Sequence, residues 1–250
     1  MRPAAGIMKP HHSHAHPPAG PRRVMVIDDH PMMRAGLVQL INSQPHLEAC
    51  AEAGTPAEAL SELARTKPDL VIADLSMPGR SGIDLIKDLH ALSTESPILV
   101  ISMQDELLYA ERALRAGARG YIMKEAGAKL LLEAMQSVLT GGSYVSPAVA
   151  SRILLGITGD AGRRSKSPIE QLTDREFEIY QLIGQGKDSV DIAHLLRLSR
   201  KTVDVHRGSI KRKLGVPSGA ALIHHAVHAQ ERGRSPSAPG NAPTAPKDSS

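Results

Sequence analysis

Short apolar runs alternate with amphipathic segments between residues 22 and 142. The runs are flanked by Gly, Pro or polar residues and predict strands, whereas the segments between them have apolar residues at helical spacing. Strands are predicted at Val24–Ile27, Leu47–Ala53, Leu70–Ala73, Pro97–Ile101 and Gly120–Met123, with helices at 32–41, 56–65, 82–92, 105–116 and 130–139. This alternation predicts an α/β fold with a doubly wound, five-stranded parallel sheet of order 2-1-3-4-5.

The pattern becomes wholly helical from Leu172. Thr173-Asp174-Arg175-Glu176 predicts a capping box for a helix that ends at Gly184, and Ser189 is the predicted cap of the next helix. Two more helices are predicted at Lys201–Leu214 and Ala220–Gln230. Two short helices joined by a tight turn, the second of them basic, predict a helix-turn-helix within a small all-α domain of four helices.

The remaining segments are rich in Pro, Gly, Ser and Ala and divide the chain into parts. We expect a disordered His- and Pro-rich tail at 1–21, an α/β domain at 22–142, a linker at 143–167, a helix-turn-helix domain at 168–232 and a disordered tail at 233–250. Histidines in the first tail are able to bind a transition metal, although a simple solvated tail is the plainer interpretation. They are His11, His12, His14 and His16.

Charge is distributed unequally between the two halves. Residues 23–145 contain 11 Lys and Arg against 16 Asp and Glu, whereas residues 163–234 contain 14 against 8. A basic second half predicts a polyanionic partner such as nucleic acid. The single cysteine, Cys50, cannot form an intramolecular disulfide and suggests a reducing compartment, so we expect a cytoplasmic protein. No apolar run approaches the length of a membrane span.

Four of the predicted strands end in polar side chains. These are Asp28 with Asp29, then Asp74, Ser102 and Lys124. The carboxyl ends of parallel strands meet at one edge of a sheet, where open α/β folds hold their ligands. Three carboxylates at one place repel one another unless a cation lies between them, and oxygen ligands favour Mg²⁺. The simplest chemistry is transfer of a phosphoryl group to Asp74, with Lys124 and Ser102 holding its oxygens. The alternative is that Asp74 merely caps a turn.

At this edge the chain resembles the receiver domain of bacterial response regulators. The matching motifs are Asp-Asp-His-Pro at 28–31, Ala-Asp-Leu-Ser-Met-Pro-Gly at 73–79, Ser102, and Tyr-Ile-Met-Lys at 121–124. The resemblance implies that Asp74 is the phosphoacceptor for a sensor histidine kinase and that Ser102 and Lys124 contact the phosphoryl group. It also implies a Mg²⁺ site formed by Asp28, Asp29, Asp74 and the main-chain carbonyl of Ser76. Tyr121 would be an aromatic switch that turns inward, although a core aromatic with a hydrated hydroxyl is equally compatible with its position.

A second family that forms an aspartyl phosphate is the haloacid-dehalogenase-type phosphatases. Those enzymes carry a second Asp two residues after the nucleophile as general acid. Here that position is Ser76. The chain is therefore predicted not to be an enzyme that turns over an external substrate.

The helix predicted at Lys201–Leu214 has an apolar stripe and a basic outer face. The stripe is Val203, Ile210 and Leu214, and the predicted outer face is Lys201, Asp204, Val205, Arg207, Gly208, Lys211 and Arg212. A basic outer face suits the DNA major groove, whereas the alternative is an ordinary solvated helix.

The second half resembles the LuxR-type DNA-binding domain. The matching motifs are Leu-Thr-Asp-Arg-Glu at 172–176, Ile-Ala at 192–193, Leu-Ser at 198–199, Thr-Val-Asp-Val-His-Arg at 202–207 and Lys-Leu-Gly-Val at 213–216. The resemblance implies that Thr202, Asp204, Val205, Arg207 and Gly208 face the groove and that Lys201, Lys211 and Arg212 meet phosphates. Asp204, Gly208 and Gly219 depart from the residues common in relatives, which suggests weaker phosphate contacts or a different operator.

Together the two halves resemble a NarL/FixJ-type response regulator. That resemblance implies a transcription regulator that is phosphorylated on Asp74 with Mg²⁺, binds double-stranded DNA and pairs as a homodimer there. The competing hypothesis is a receiver-containing interaction protein that never binds DNA.

Overall fold

The computed structural model describes residues 20–77, 81–157 and 168–234. Its sheet contains β1 (Arg22–Ile27), β2 (Leu47–Ala53), β3 (Leu70–Asp74), β4 (Ile98–Ser102) and β5 (Gly120–Met123). All neighbouring strands are parallel and their order is β2-β1-β3-β4-β5. The predicted fold class and strand order are therefore confirmed. β3 and β4 are buried along their whole length because helices cover both faces of the sheet.

Five helices complete the α/β domain, and five more follow it within the described residues. The first five are α1 (Pro31–Asn42), α2 (Pro56–Thr66), α3 (Gly82–Leu92), α4 (Glu106–Arg115) and α5 (Gly127–Leu139). The others are α6 (Pro147–Ile157), α7 (Asp174–Gly184), α8 (Ser189–Leu196), α9 (Arg200–Leu214) and α10 (Gly219–Arg234). In that part of the chain, no helix combines the length and the apolar character needed to cross a bilayer.

Three helix ends differ from the sequence predictions by more than one residue or in the residue that caps them. The side chain of Asp188, and not Ser189, caps α8, because Asp188 and Asp191 form a reciprocal capping box. α5 begins at Gly127 and follows a 3₁₀ turn at Lys124–Ala126, whereas the prediction began at Leu130. α10 continues to Arg234 and so includes the first two residues of the segment predicted to be a disordered tail.

Other predictions fall outside the described residues. They concern the tail at 1–19 with its four histidines, the loop at 78–80 within the receiver motif, the linker at 158–167 and the tail from residue 235.

Two apolar cores lie on opposite faces of the sheet. One contains Val24, Ile72 and Leu99 with the buried faces of α1 and α5. The other contains Met25, Val71 and Val100, continues through α3 and α4, and reaches α7, α9 and α10 without interruption. The α/β domain and the C-terminal helical domain are therefore packed against each other through the face of α4.

Candidate functional site

The strand register brings the predicted acidic residues to one edge of the sheet. Ile27 pairs with Ala73 and Asp74 pairs with Ile101, so Asp28 and Asp74 leave adjacent strands at nearly the same level. Asp28 and Asp74 are almost completely buried, and Asp29 is partly exposed beside them. The ends of β1 and β3 thus bring an acidic cluster together at this edge of the sheet.

Lys124 pairs with both buried carboxylates of this cluster. Its Nζ lies 2.8 Å from Asp28 Oδ2 and 2.7 Å from Asp74 Oδ2, and its side chain is 5% exposed. The other oxygen of each carboxylate accepts a backbone N–H, from His30 for Asp28 and from Ser76 for Asp74. One ammonium group therefore joins both buried carboxylates and would stand beside any group bound to Asp74.

Asp29 has an oxygen that no described residue satisfies by hydrogen bonding. Its Oδ1 is buried, and although His30 Nδ1 lies 2.7 Å away, the contact does not have hydrogen-bond geometry. Buried carboxylate oxygens without a donor are rare and call for a cation or a bound water. Ligand atoms of Asp28, Asp29, His30 and Asp74 all lie within 4.8 Å of one another. The oxygens present fit Mg²⁺. His30 also belongs to this group; it lies in the Asp-Asp-His-Pro motif but is not among the predicted site residues.

Asp74 is held in a poorly solvated position. Burial raises the pKa of its carboxyl, and the hydrogen bonds from Lys124 and Ser76 offset part of that rise. Burial alone would lower the pKa of Lys124, but its hydrogen bonds to Asp28 and Asp74 raise it, so the lysine stays charged. The site therefore holds a charged lysine beside the carboxyl group that would act as nucleophile.

Gly82, the first residue of α3, lies against the backbone of Leu75, the residue that follows β3. A Cβ at Gly82 would overlap the backbone of Leu75, and the overlap is with its carbonyl oxygen. In the turn that follows β3, the Ser76 N–H donates to Asp74 Oδ1 at 3.0 Å. The main-chain carbonyl of Ser76, predicted to bind Mg²⁺, belongs to the same turn.

Ser102 and Tyr121 both hold the main chain of Gln104. The Ser102 hydroxyl accepts the Gln104 N–H at 3.1 Å, and the Tyr121 hydroxyl donates to the Gln104 carbonyl at 2.8 Å. Tyr121 is already buried in this structure, with 1% of its surface exposed, and this burial raises the pKa of its phenol. Ser102, the predicted phosphoryl contact, and Tyr121, the predicted switch residue, are thus connected through Gln104, which lies two positions before α4.

Arg112 on α4 joins the two domains. Its guanidinium donates to the carbonyls of Ile169 and Leu172 and to Asp174 Oδ1, each at 3.0 Å. The same group lies 4.2 Å from the centre of the Phe177 ring, a cation–π contact. Because its side chain is only 16% exposed, these interactions are formed largely away from water.

Aromatic and charged contacts surround Arg112. Tyr109 meets Phe177 edge to face with ring centres 4.9 Å apart, and Lys87 on α3 pairs with Asp174 Oδ2 at 2.7 Å. None of these residues was predicted to be functional from the sequence. No local pattern reveals them, because the partners are far apart in the chain and each looks like an ordinary residue of an amphipathic helix.

The face of α9 predicted to meet DNA lies open. Lys201, Val205 and Arg212 are exposed. The relative solvent exposure of Val205 is 65%, although the residue is apolar. Thr202, Arg207, Gly208 and Lys211 are partly exposed. None of the described residues forms an ion pair with Lys201, Lys211 or Arg212, whereas Asp204 accepts from the Ser189 hydroxyl at 2.9 Å and lies 3.9 Å from Arg200. The basic side chains are therefore available to an anion.

Glu176 fixes the opposite side of α9. Its carboxylate accepts from Lys213 Nζ and from the Ser209 hydroxyl, both at 2.6 Å, and completes the predicted capping box with Thr173. Burial opposes its charge, but these hydrogen bonds prevail and lower its pKa to about 2. Lys213 thus points into the domain, although it follows two basic residues of the predicted DNA face.

We expect Glu176→Gln to destabilise the C-terminal helical domain by about 2 kcal/mol at pH 7. The carboxyl pKa is lower in the folded than in the unfolded chain, so the stabilisation is complete above pH about 4.5 and disappears as the pH falls towards 2. Denaturant unfolding at pH 7 and pH 3, followed by NMR signals of α7 and α9, should show the deficit shrink. Glu178→Gln is the control because burial raises the pKa of that carboxyl. A deficit that is independent of pH would contradict the assignment.

Comparison with known proteins gives two matching family descriptions. Residues 24–136 match the response regulator receiver domain, and residues 170–226 match the bacterial regulatory proteins of the luxR family. The transcriptional regulatory protein UhpA of Salmonella typhimurium is 37% identical over 80% of this chain and 95% of its own length. The oxygen regulatory protein NreC of Staphylococcus carnosus is 32% identical over 82% of this chain and 96% of its own.

A solved structure shows a similar arrangement. RcsB from Salmonella enterica serovar Typhimurium, bound to the promoter rprA in the presence of the phosphomimetic BeF₃⁻, has a TM-score of 0.60 and 25% identity. It covers 83% of this chain and 99% of its own.

Proposed function

Because this chain belongs to the NarL/FixJ-type response regulators, which join a receiver domain to a LuxR-type DNA-binding domain, we propose that it is a cytoplasmic, phosphorylation-controlled transcription regulator. One observation supports the proposal most directly. The same chain combines the Lys124 bridge between Asp28 and Asp74 with an exposed basic face on α9. We assign the receiver to residues 22–142, the linker to 143–167 and the DNA-binding domain to 168–232.

In this proposal Asp74 accepts a phosphoryl group from a sensor histidine kinase. A carboxylate oxygen of Asp74 forms the new bond to phosphorus, and the bond to the donor nitrogen breaks. Asp28, Asp29, Asp74 and the Ser76 carbonyl would hold Mg²⁺, which neutralises phosphoryl oxygens when it is bound. Lys124 is already 2.7 Å from Asp74 and needs only a small movement to pair with the phosphoryl group. The group stays on the chain as a signal, so we propose no turnover of an external substrate.

The proposed signal passes from Ser102 to α4. A phosphoryl group on Asp74 offers the Ser102 hydroxyl a charged acceptor, and turning towards it releases the Gln104 N–H. The Gln104 carbonyl remains tied to Tyr121, so the segment that precedes α4 changes its position relative to β5. α4 carries Tyr109 and Arg112, which hold the DNA-binding domain. Phosphorylation thus biases an equilibrium between docked and released domains.

The proposed DNA contact uses the exposed face of α9 in the major groove. Lys201, Lys211 and Arg212 would meet phosphates, and Thr202, Asp204, Val205, Arg207 and Gly208 would face bases. Asp204 suits a cytosine amino group and Val205 a thymine methyl group. One such domain offers few contacts, so we propose that two copies bind paired half-sites as a homodimer.

We expect Lys211→Ala to weaken binding to all DNA sequences by a similar factor and to reduce the slope of log affinity against log salt by about one. The reason is that one fewer phosphate is neutralised. Fluorescence anisotropy of the full chain at several salt concentrations measures both quantities. Lys129→Ala, which removes a highly exposed lysine from α5 of the receiver domain, is the matched control and should leave the slope unchanged.

An unchanged slope for Lys211→Ala would place Lys211 away from DNA. Failure of the wild-type chain to bind duplexes even at low salt would instead favour an interaction protein that does not use DNA.

A further inference from the structure

Two histidines form a pair on the surface of α10. His224 and His228 are one helical turn apart, and their Nε2 atoms lie 3.0 Å from each other. Their ring centres are 4.2 Å apart with an angle of 71° between the planes. Both residues are exposed, so the pair is accessible from solvent. Neither takes part in the proposed phosphoryl site or the proposed DNA contact.

The helix beneath this pair is firmly held. Leu222 and Ala226 on the other face of the same turns are completely buried. The Tyr180 hydroxyl of α7 lies 2.8 Å from His225 Nδ1 and 3.2 Å from the His225 carbonyl. Because the backbone is fixed, binding a shared ligand would require the ordering of only two short side chains, which keeps the entropic cost low.

We propose that His224 and His228 chelate one divalent transition-metal ion through their Nε2 atoms. Imidazole nitrogens bind such ions at about 2.0–2.1 Å, so two nitrogens 3.0 Å apart subtend an angle of about 95° at the metal. That angle fits two adjacent positions of square-planar or octahedral coordination, the geometry of Cu²⁺ and Ni²⁺. A small rotation of either ring opens the angle to the tetrahedral value that Zn²⁺ prefers.

The chemistry of the pair favours a cation of this class. Imidazole suits Cu²⁺, Ni²⁺ and Zn²⁺ rather than Mg²⁺, whereas the carboxylates of Asp28, Asp29 and Asp74 suit Mg²⁺. Excess Mg²⁺ is needed in a test of the pair, because His30 gives the carboxylate site an imidazole of its own. The remaining coordination positions face solvent and are filled by water.

The test is a titration of the full chain with Ni²⁺ by calorimetry, in excess Mg²⁺. All arms carry alanine at His11, His12, His14 and His16, which removes competition from the N-terminal histidines. We expect one site whose affinity falls about tenfold or more in His224→Ala, in His228→Ala and in the double variant alike, because the loss of either ring removes the chelate. His194→Ala, which removes an exposed histidine of α8, is the control and should bind as before.

A second measurement locates the ion without any change to the pair. Cu²⁺ broadens nearby amide NMR signals, and we expect the strongest loss at residues 222–229 in the chain with both histidines present. The proposal is overturned if His228→Ala binds Ni²⁺ as tightly as His194→Ala. It is equally overturned if the broadening is centred outside α10.

Discussion

We expect Asp74→Asn to abolish uptake of the phosphoryl group. The amide oxygen is a far weaker nucleophile than a carboxylate. Asp28 is also buried and pairs with Lys124, but its place in the proposal is to hold Mg²⁺. Labelling should fall at least about 100-fold after incubation with Mg²⁺ and acetyl phosphate, measured by intact mass. The fold should persist because asparagine has the same shape and Asp28 still pairs with Lys124.

Asp84→Asn is the matched control for this experiment. It removes one negative charge from α3 of the same domain, where Asp84 pairs with Lys87 on the surface. We expect this variant to be labelled like the wild-type chain. Persistent labelling of Asp74→Asn would show that another residue accepts the group and would overturn the assignment.

Arg112→Ala should release the DNA-binding domain from the receiver without phosphorylation. The substitution removes three hydrogen bonds and the contact with the Phe177 ring, and it leaves Asp174 with Lys87 as its cation. We expect the docked arrangement to lose about 2 kcal/mol or more, which shifts the docking equilibrium roughly 30-fold. Small-angle X-ray scattering should show a larger radius of gyration, and hydrogen exchange should accelerate in α4 and in the turn at Pro168–Gln171.

Arg115→Ala tests whether this effect belongs to the interface. Arg115 lies on the same helix and pairs with Glu111 at the surface, so its loss removes an equal charge without breaking a contact between domains. We expect neither the scattering nor the exchange to change. If Arg112→Ala and Arg115→Ala behave alike, α4 does not hold the domains together and the proposed route from Ser102 is wrong.

The sheet and its polar edge could be predicted because both depend on local patterns. An apolar run followed by a polar residue marks the end of a buried strand, and the alternation with helices fixes the topology. For this reason the positions of Asp28, Asp74, Ser102 and Lys124 could be anticipated from the sequence alone. The capping box at Thr173 was predictable for the same reason, since its two partners are three residues apart.

Other features depend on contacts that no local pattern encodes. Arg112 and Asp174 are 62 positions apart, and nothing in either helix indicates that they meet. The burial of Tyr121 depends on how the β4–α4 connection and α4 pack over β5. The prediction of Ser189 as the cap of α8 is wrong because Asp188 and Ser189 are both good capping residues, and the choice depends on the reciprocal bond to Asp191.

The most direct test of control through Asp74 compares DNA binding before and after phosphorylation. Duplexes selected from a random library by the phosphorylated full chain would be titrated with wild-type and Asp74→Asn protein, each with and without acetyl phosphate and Mg²⁺. We expect phosphorylation to raise the affinity of the wild-type chain by about tenfold and to leave Asp74→Asn unchanged. Equal affinity of the wild-type chain in both states, or an equal increase in Asp74→Asn, would contradict control of DNA binding through Asp74.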